Sequence, residues 1–135
     1  MAVLPRDDRG RLLLVRHADD GQWGTIGGLI EVDEAPADAA IREAREEAGV
    51  EVTLGSLRAA LGGAEFHIEY SNGDRAAYVS IVYDAEVVGG TPRADDDEIS
   101  ALEWVRSDRL AAVDLSPFAR ATFSALDLLP GSNAS

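Results

Sequence analysis

The chain has 135 residues, 46% of them apolar, which gives room for one domain with a real core. Its formal charge of −13 argues against binding to nucleic-acid polymers or anionic membranes, whose phosphates are held by basic surfaces. The absence of cysteine excludes disulfides, thiolate metal sites and cysteine nucleophiles. All 12 basic residues are arginine, which excludes a Walker-type lysine and Schiff-base chemistry, and no G-x-S-x-G elbow supports a serine hydrolase.

From Met1 the chain enters AVLPRDDRGR instead of a secretory signal, and no apolar run approaches the roughly 18 residues of a membrane span. Cytoplasm is the default expectation. The short N-terminus points to a clipped first strand, followed by a turn over residues 7–10 and a strand over 11–16 (RLLLVR). Gly27 and Gly28 permit a tight backbone path ahead of a helix expected over 36–48. Pro36 suits the first helical turn, Ala35 offers no side-chain cap, and Gly49 supplies the left-handed stop.

On that helix Glu43, Glu46 and Glu47 stand at i, i+3 and i+4, so their carboxylates share a face about 100° wide. Like charges so placed repel by a few tenths of a kcal/mol when exposed, and by several when partly desolvated. A divalent cation offsets this, and carboxylate oxygens suit magnesium or manganese. An adjoining stripe of Ala37, Ala40, Ile41, Ala44 and Ala48 is small enough to let the helix lie close on a sheet. One face packs while its neighbour points into a cleft.

Beyond the helix, residues 50–54 read as a strand, and 66–70 lead into Asn72-Gly73, a hairpin signal. Residues 76–88 form a long apolar segment suited to the sheet centre, broken by Gly89 and Gly90. A strand over 100–105 follows, Ser107 is expected to cap a short helix, and Ser116-Pro117 opens a C-terminal helix to about residue 129. The tail 131–135 is expected to be mobile. Strands bracketed by two main helices predict a single α/β domain with a mixed β-sheet between helical layers.

Gly28, Glu34, Arg42, Glu43, Glu46, Glu47 and Gly49, with Ala44 and Val50 in apolar slots, reproduce the spacing G-x5-E-x7-R-E-U-x-E-E-x-G-U, where U is apolar. At roughly 10% per position, seven coincidences arise on the order of once in ten million windows. The segment resembles the Nudix box, and the chain resembles the MutT-like Nudix hydrolases, which implies an α/β/α sandwich over residues 1–135. The resemblance further implies a pyrophosphohydrolase that cleaves the phosphoanhydride of a nucleoside diphosphate derivative with Mg²⁺ or Mn²⁺, by attack of metal-activated water on phosphorus. Glu43, Glu46 and Glu47 would be metal ligands, helped by the Gly27 carbonyl, with Arg42 orienting a glutamate and Glu34 supporting it. Ile26 departs from the proline that many members carry there.

Two groups compete for the role of general base. Glu43 is one; Glu98, six residues before Trp104, has a spacing similar to that of a loop glutamate in MutT-type members, though it also sits in the acidic run Asp95-Asp96-Asp97-Glu98. Choice of base or sugar is expected from Trp23, from residues 66–72 including Tyr70, and from the Asp95 loop. Trp23 stacks on a base or anchors the Gly27-Gly28 loop, and both readings stay open. Arg16, Arg75 and Arg93 are candidates for steadying phosphate or ribose, against a plain surface role for each. His17 and His67 read as surface or groove residues. A non-catalytic module that binds a nucleotide or nucleotide sugar is the alternative function, a (d)NTP and a nucleotide sugar remain open as substrates, and a homodimer is left open.

Overall fold

The computed structural model describes residues 1–130, so the tail expected to be mobile lies outside the described residues. Two strands set the pattern. In β1 (Ala2–Arg6) and β2 (Leu12–His17) the residues are almost continuously buried, because the sheet is covered on both faces. Ala2, Leu4, Leu12 and Leu14 enter one apolar cluster, while Val3, Leu13 and Val15 enter the other. Alternation along a strand thus sorts one hydrophobic run into two cores.

The remaining elements are β3 (Trp23–Gly24), β4 (Ile26–Gly27), α1 (Pro36–Ala48), β5 (Val50–Leu61), β6 (His67–Glu69), β7 (Arg75–Ala77), β8 (Ser80–Gly90), β9 (Ile99–Val105), a 3-10 turn (Ser107–Ala112) and α2 (Pro117–Ala125). The main sheet runs β3-β2-β1-β8-β5, with β4 added to β1 and β9 to β2. It is mixed: β1 and β8 are parallel, whereas the other pairings are antiparallel. Helix α1 lays Ala40, Ala44 and Ala48 on one face, and α2 lays Ala119 and Phe123 on the other, so the architecture is the expected α/β/α sandwich. Among the described residues no helix is long and apolar enough to cross a membrane.

Helix α1 begins and ends where its sequence dictates, with Ala35 making no side-chain cap and Gly49 at φ 69°, its N–H closing on Arg45 and Ala44 carbonyls. Elsewhere the boundaries shift. The N-terminal strand is five residues long and lies inside the sheet between β2 and β8. The apolar segment 76–88 is divided, because the Tyr78 N–H donates to the Phe66 carbonyl at 2.7 Å and ends the β6–β7 hairpin before β8 begins. Gly89 and Gly90 do not break β8; they pair with Glu51 and Val50, and a side chain on Gly90 would overlap the Gly49 carbonyl.

The strand expected to stop at residue 54 continues to Leu61, following β8 through register shifts that bend it. Ser107 is the first residue of the 3-10 turn and not its cap, a position taken by Arg106 without a side-chain bond. Ser116 does cap α2, accepting the Ala119 N–H at 3.2 Å. That helix stops at Ala125 and not at residue 129, since Asp127 turns left-handed (φ 59°) and sends Leu129 back into the core.

Candidate active site

Packing of α1 through its alanines brings its acidic stripe up against the Gly27-Gly28 loop. Glu47 is only 6% exposed. The Gly27 N–H donates to Glu47 Oε1 at 3.0 Å, tying the end of β4 to the helix. Glu43 lies one turn earlier, so close to Gly28 that a Cβ there would stand 2.5 Å from Glu43 Oε1. Both glycines are therefore needed for proximity and not for turn geometry. We expect Gly27→Ala, whose methyl would overlap the Met1 carbonyl, to cost about 3 kcal/mol or more, because backbone on both sides resists movement. Gly28→Ala should fold and instead displace the Glu43 carboxylate; chemical denaturation with Mn²⁺ titration separates the two cases.

Arg42 organises the exposed side of the stripe. Its Nε and Nη2 donate to Glu34 Oε2 and Oε1 at 2.7 and 3.0 Å, a bidentate clamp, and Nη2 also reaches the Leu29 carbonyl at 3.2 Å. Nη1 donates to Glu43 Oε1 and Glu46 Oε2, both at 3.1 Å. One guanidinium thus fastens the loop before α1 to two acids of the stripe. The bonded guanidinium holds the Glu34 carboxyl below the usual range.

Glu47 behaves oppositely. Burial drives its pKa up to about 9; the Gly27 N–H pulls it down, and the charges of Glu43 and Glu98 push it up again. Burial also raises Glu43, the Arg42 charge opposing. Buried carboxylates that repel one another are a stored demand for positive charge. Among the described residues no three His, Asp or Glu side chains converge as a ready-made cage, since Arg42 Nη1 draws Glu43 and Glu46 to itself and the Gly27 N–H draws Glu47. The donor set itself, three carboxylates on a single face beside a backbone loop, suits a hard divalent cation.

Glu98 lies just before β9. Its carbonyl accepts the Ala18 N–H at 2.8 Å, and Asp95 Oδ1 shapes the same loop by accepting the Asp97 and Ile99 N–H groups at 2.9 Å. Its charge is felt at Glu47, which brings this candidate base toward the stripe from a distant part of the chain.

A cavity of about 460 Å³ opens from Gly27 and Gly28, with His17, Thr25, Ile68, Tyr78, Ser116 and Phe118 among its walls. Among the described residues no acid or arginine lines it. Of the residues singled out for substrate, Tyr70 touches it only indirectly, its hydroxyl bonding that of Tyr78 at 2.8 Å. Trp23 packs against the α2-side core and is bridged to Leu115, and Arg16 lies over its ring at 5.8 Å while donating to Ser100 Oγ at 2.9 Å. Neither lines the cavity. Arg93 borders a second, polar hollow with Arg45, Glu46 and Asp95. Arg75 stands beside Glu69 on the exposed hairpin, which also carries the exposed His67. His17, read from sequence as a surface or groove residue, reaches the cavity because β2 and β3 fold back together; no local pattern marks it.

A hydrolase of phosphoanhydride bonds is the class that this fold and site define. The NUDIX domain model matches residues 1–126. A MutT-like protein of Streptomyces ambofaciens is 33% identical over 125 residues, which are 93% of this chain and 73% of that one. A putative 8-oxo-dGTP diphosphatase 3 of Mycobacterium tuberculosis is 30% identical over 132 residues, 93% of this chain and 58% of its own length. Among solved structures, a MutT NUDIX hydrolase from Burkholderia pseudomallei superposes with a TM-score of 0.71 at 30% identity, covering 95% of this chain and 94% of that one. The chain belongs to the Nudix family, as one of its pyrophosphohydrolases.

Proposed function

We propose that this protein hydrolyses a nucleoside diphosphate derivative, with Mg²⁺ or Mn²⁺ held by Glu43, Glu46 and Glu47 and the Gly27 carbonyl. The observation that carries the reading is the burial of Glu47 beside Glu43 and within reach of the Glu98 charge, a clustering of acids that its single bond from the Gly27 N–H does not require. When bound, the cation supplies charge neutralisation on the diphosphate and a more acidic water. To hold it, Glu43 and Glu46 would give up their bonds to Arg42 Nη1, and the separate Nε and Nη2 bonds to Glu34 would leave the loop fastened.

Around this centre the chain's own groups divide the work. Glu43 and Glu98 are the two carboxylates able to accept a proton from the attacking water. Gly27 and Gly28 belong both to the acid site and to the cavity rim, so phosphates at the stripe leave the nucleoside end facing the apolar walls. Tyr70 supports one wall through Tyr78, and Trp23 and Arg16 brace the strand pair behind it. The substrate is a small molecule taken in without a basic surface, consistent with the charge of −13. Incubation with Mg²⁺ and a panel of nucleoside triphosphates and nucleotide sugars should release a nucleoside monophosphate from at least one, and ³¹P spectra showing every phosphoanhydride intact would remove the reading.

A further inference from the structure

The acid stripe accounts for hydrolysis but not for choice of base. Two polar side chains of the cavity, from distant parts of the chain, flank the same glycine. A Cβ built on Gly24 would lie 2.8 Å from His17 Nε2 and 3.6 Å from Ser116 Oγ, so both atoms border the space that glycine leaves open. Neither is loosely held. The Trp23 N–H donates to the Asp114 carbonyl at 2.9 Å and the Ser116 N–H to the Trp23 carbonyl at 2.8 Å, while the His17 N–H donates to the Gln22 carbonyl at 2.9 Å. Residues 114–116 are laced to β3, and His17 closes the β2–β3 turn.

The chemistry of Ser116 is directional. Its Oγ already accepts the Ala119 N–H at 3.2 Å as the cap of α2, and among the described residues no acceptor takes its proton. A hydroxyl in that state is a donor looking for an oxygen or ring nitrogen. The imidazole of His17 adds a second hydrogen-bonding atom over the same glycine. Among the described residues no Asp, Glu, Asn or Gln lines the cavity, and its other polar side chains are the hydroxyls of Thr25, Tyr78 and Ser80; at Ser116 itself, a base oxygen takes the free proton, whereas an amino group placed there leaves that proton unused.

We propose that Ser116 and His17 are specificity-determining residues that select a nucleoside substrate whose base presents a carbonyl oxygen over one that presents an amino group at the same ring position. This rests on the hydrolase reading and narrows its substrate class. Phe118, Ile68 and Tyr78 supply sequence-tolerant apolar contact to the ring, and the polar pair reads its edge.

Inosine and adenosine triphosphates, which differ by an oxo-for-amino exchange at C6 and the proton on N1 that accompanies it, provide the test. We expect kcat/KM for the inosine nucleotide to exceed that for the adenosine nucleotide by about tenfold or more, mainly through KM. Calorimetry without divalent ions should rank the binding of the two monophosphates in the same order. Ser116→Asp keeps an oxygen cap on α2 but replaces the donor by an acceptor, so the ratio should invert. His17→Ala, and Gly24→Ala, whose methyl would force Nε2 aside, should each lower it. Equal constants for the two nucleotides, or an unchanged ratio in Ser116→Asp, would overturn the role of the pair while leaving the hydrolase intact. Absence of hydrolysis for every nucleotide would instead overturn the hydrolase reading, and monophosphate binding would still decide the pair.

Discussion

Glu46→Gln is expected to lower kcat by about a hundredfold or more while leaving the melting temperature almost unchanged. Loss of a group that merely supports a metal ligand already costs 10- to 100-fold, so loss of a ligand oxygen's charge should reach at least the upper end. The fold should not notice, because the Glu46 side chain is 57% exposed and Arg42 keeps its clamp on Glu34. Glu47→Gln makes a useful contrast. Its amide oxygen can still accept the Gly27 N–H, and it removes a buried ionisable group, so it should abolish activity and stabilise the metal-free protein at alkaline pH. Rates near wild type in the Glu46 variant would end the assignment of that residue.

In the presence of a chelator the melting temperature should fall as pH rises from about 5 to 9, and Mn²⁺ should remove most of that slope. The sign follows from the raised pKa of Glu47. A carboxyl displaced from 4.5 to about 9 by burial contributes stability fully present below 4.5, lost progressively as pH climbs to the folded value. Glu34 and Glu51, held low by Arg42 and Arg45, act in the opposite sense but titrate below 4.5, outside this window. Even a third of the Glu47 displacement is about 2 kcal/mol, or several degrees for a protein of this size. A cation held by the folded, ionised site alone would stabilise most at high pH. Scanning calorimetry in EDTA and in Mn²⁺ measures both arms; a metal-free midpoint that rises between pH 5 and 9 would contradict the burial argument.

The helix that carries the acids was legible because every determinant is local: small residues at helical spacing, proline at the start, glycine at the stop. Glu98 was legible as a candidate only through its spacing from Trp104, and its electrostatic reach to Glu47 depends on the loop that Asp95 builds. The sheet was harder. Leu12 to Val15 reads as apolar throughout, and nothing in that run says that alternate residues serve two cores. The extension of β5 to Leu61 depends on pairing with β8 and has no periodic signature of its own. The cavity was least legible, since Trp23 and Tyr70 attract attention as aromatics, whereas the lining comes from His17, Ser116 and Phe118, joined by backbone bonds between distant segments. Aromatic residues advertise stacking, whereas the bonds that hold residues 114–116 in place come from the Trp23 backbone, which any residue other than proline could supply.

Each of the two apolar clusters supports a different half of the enzyme. The alanine face of α1, and with it the acid stripe, rests on one of them; Ala2, Ala119 and the strap that positions Ser116 rest on the other. Gly27 and Gly28 belong to both halves, and so do their neighbours Leu29, whose carbonyl accepts from Arg42 Nη2, and Met1, which packs against the α1-side cluster; both line the cavity. Substitution in the α2 layer is therefore expected to change which molecule is admitted more than how it is cut, and along the junction of the halves positions 27 and 28 have to stay free of side chains.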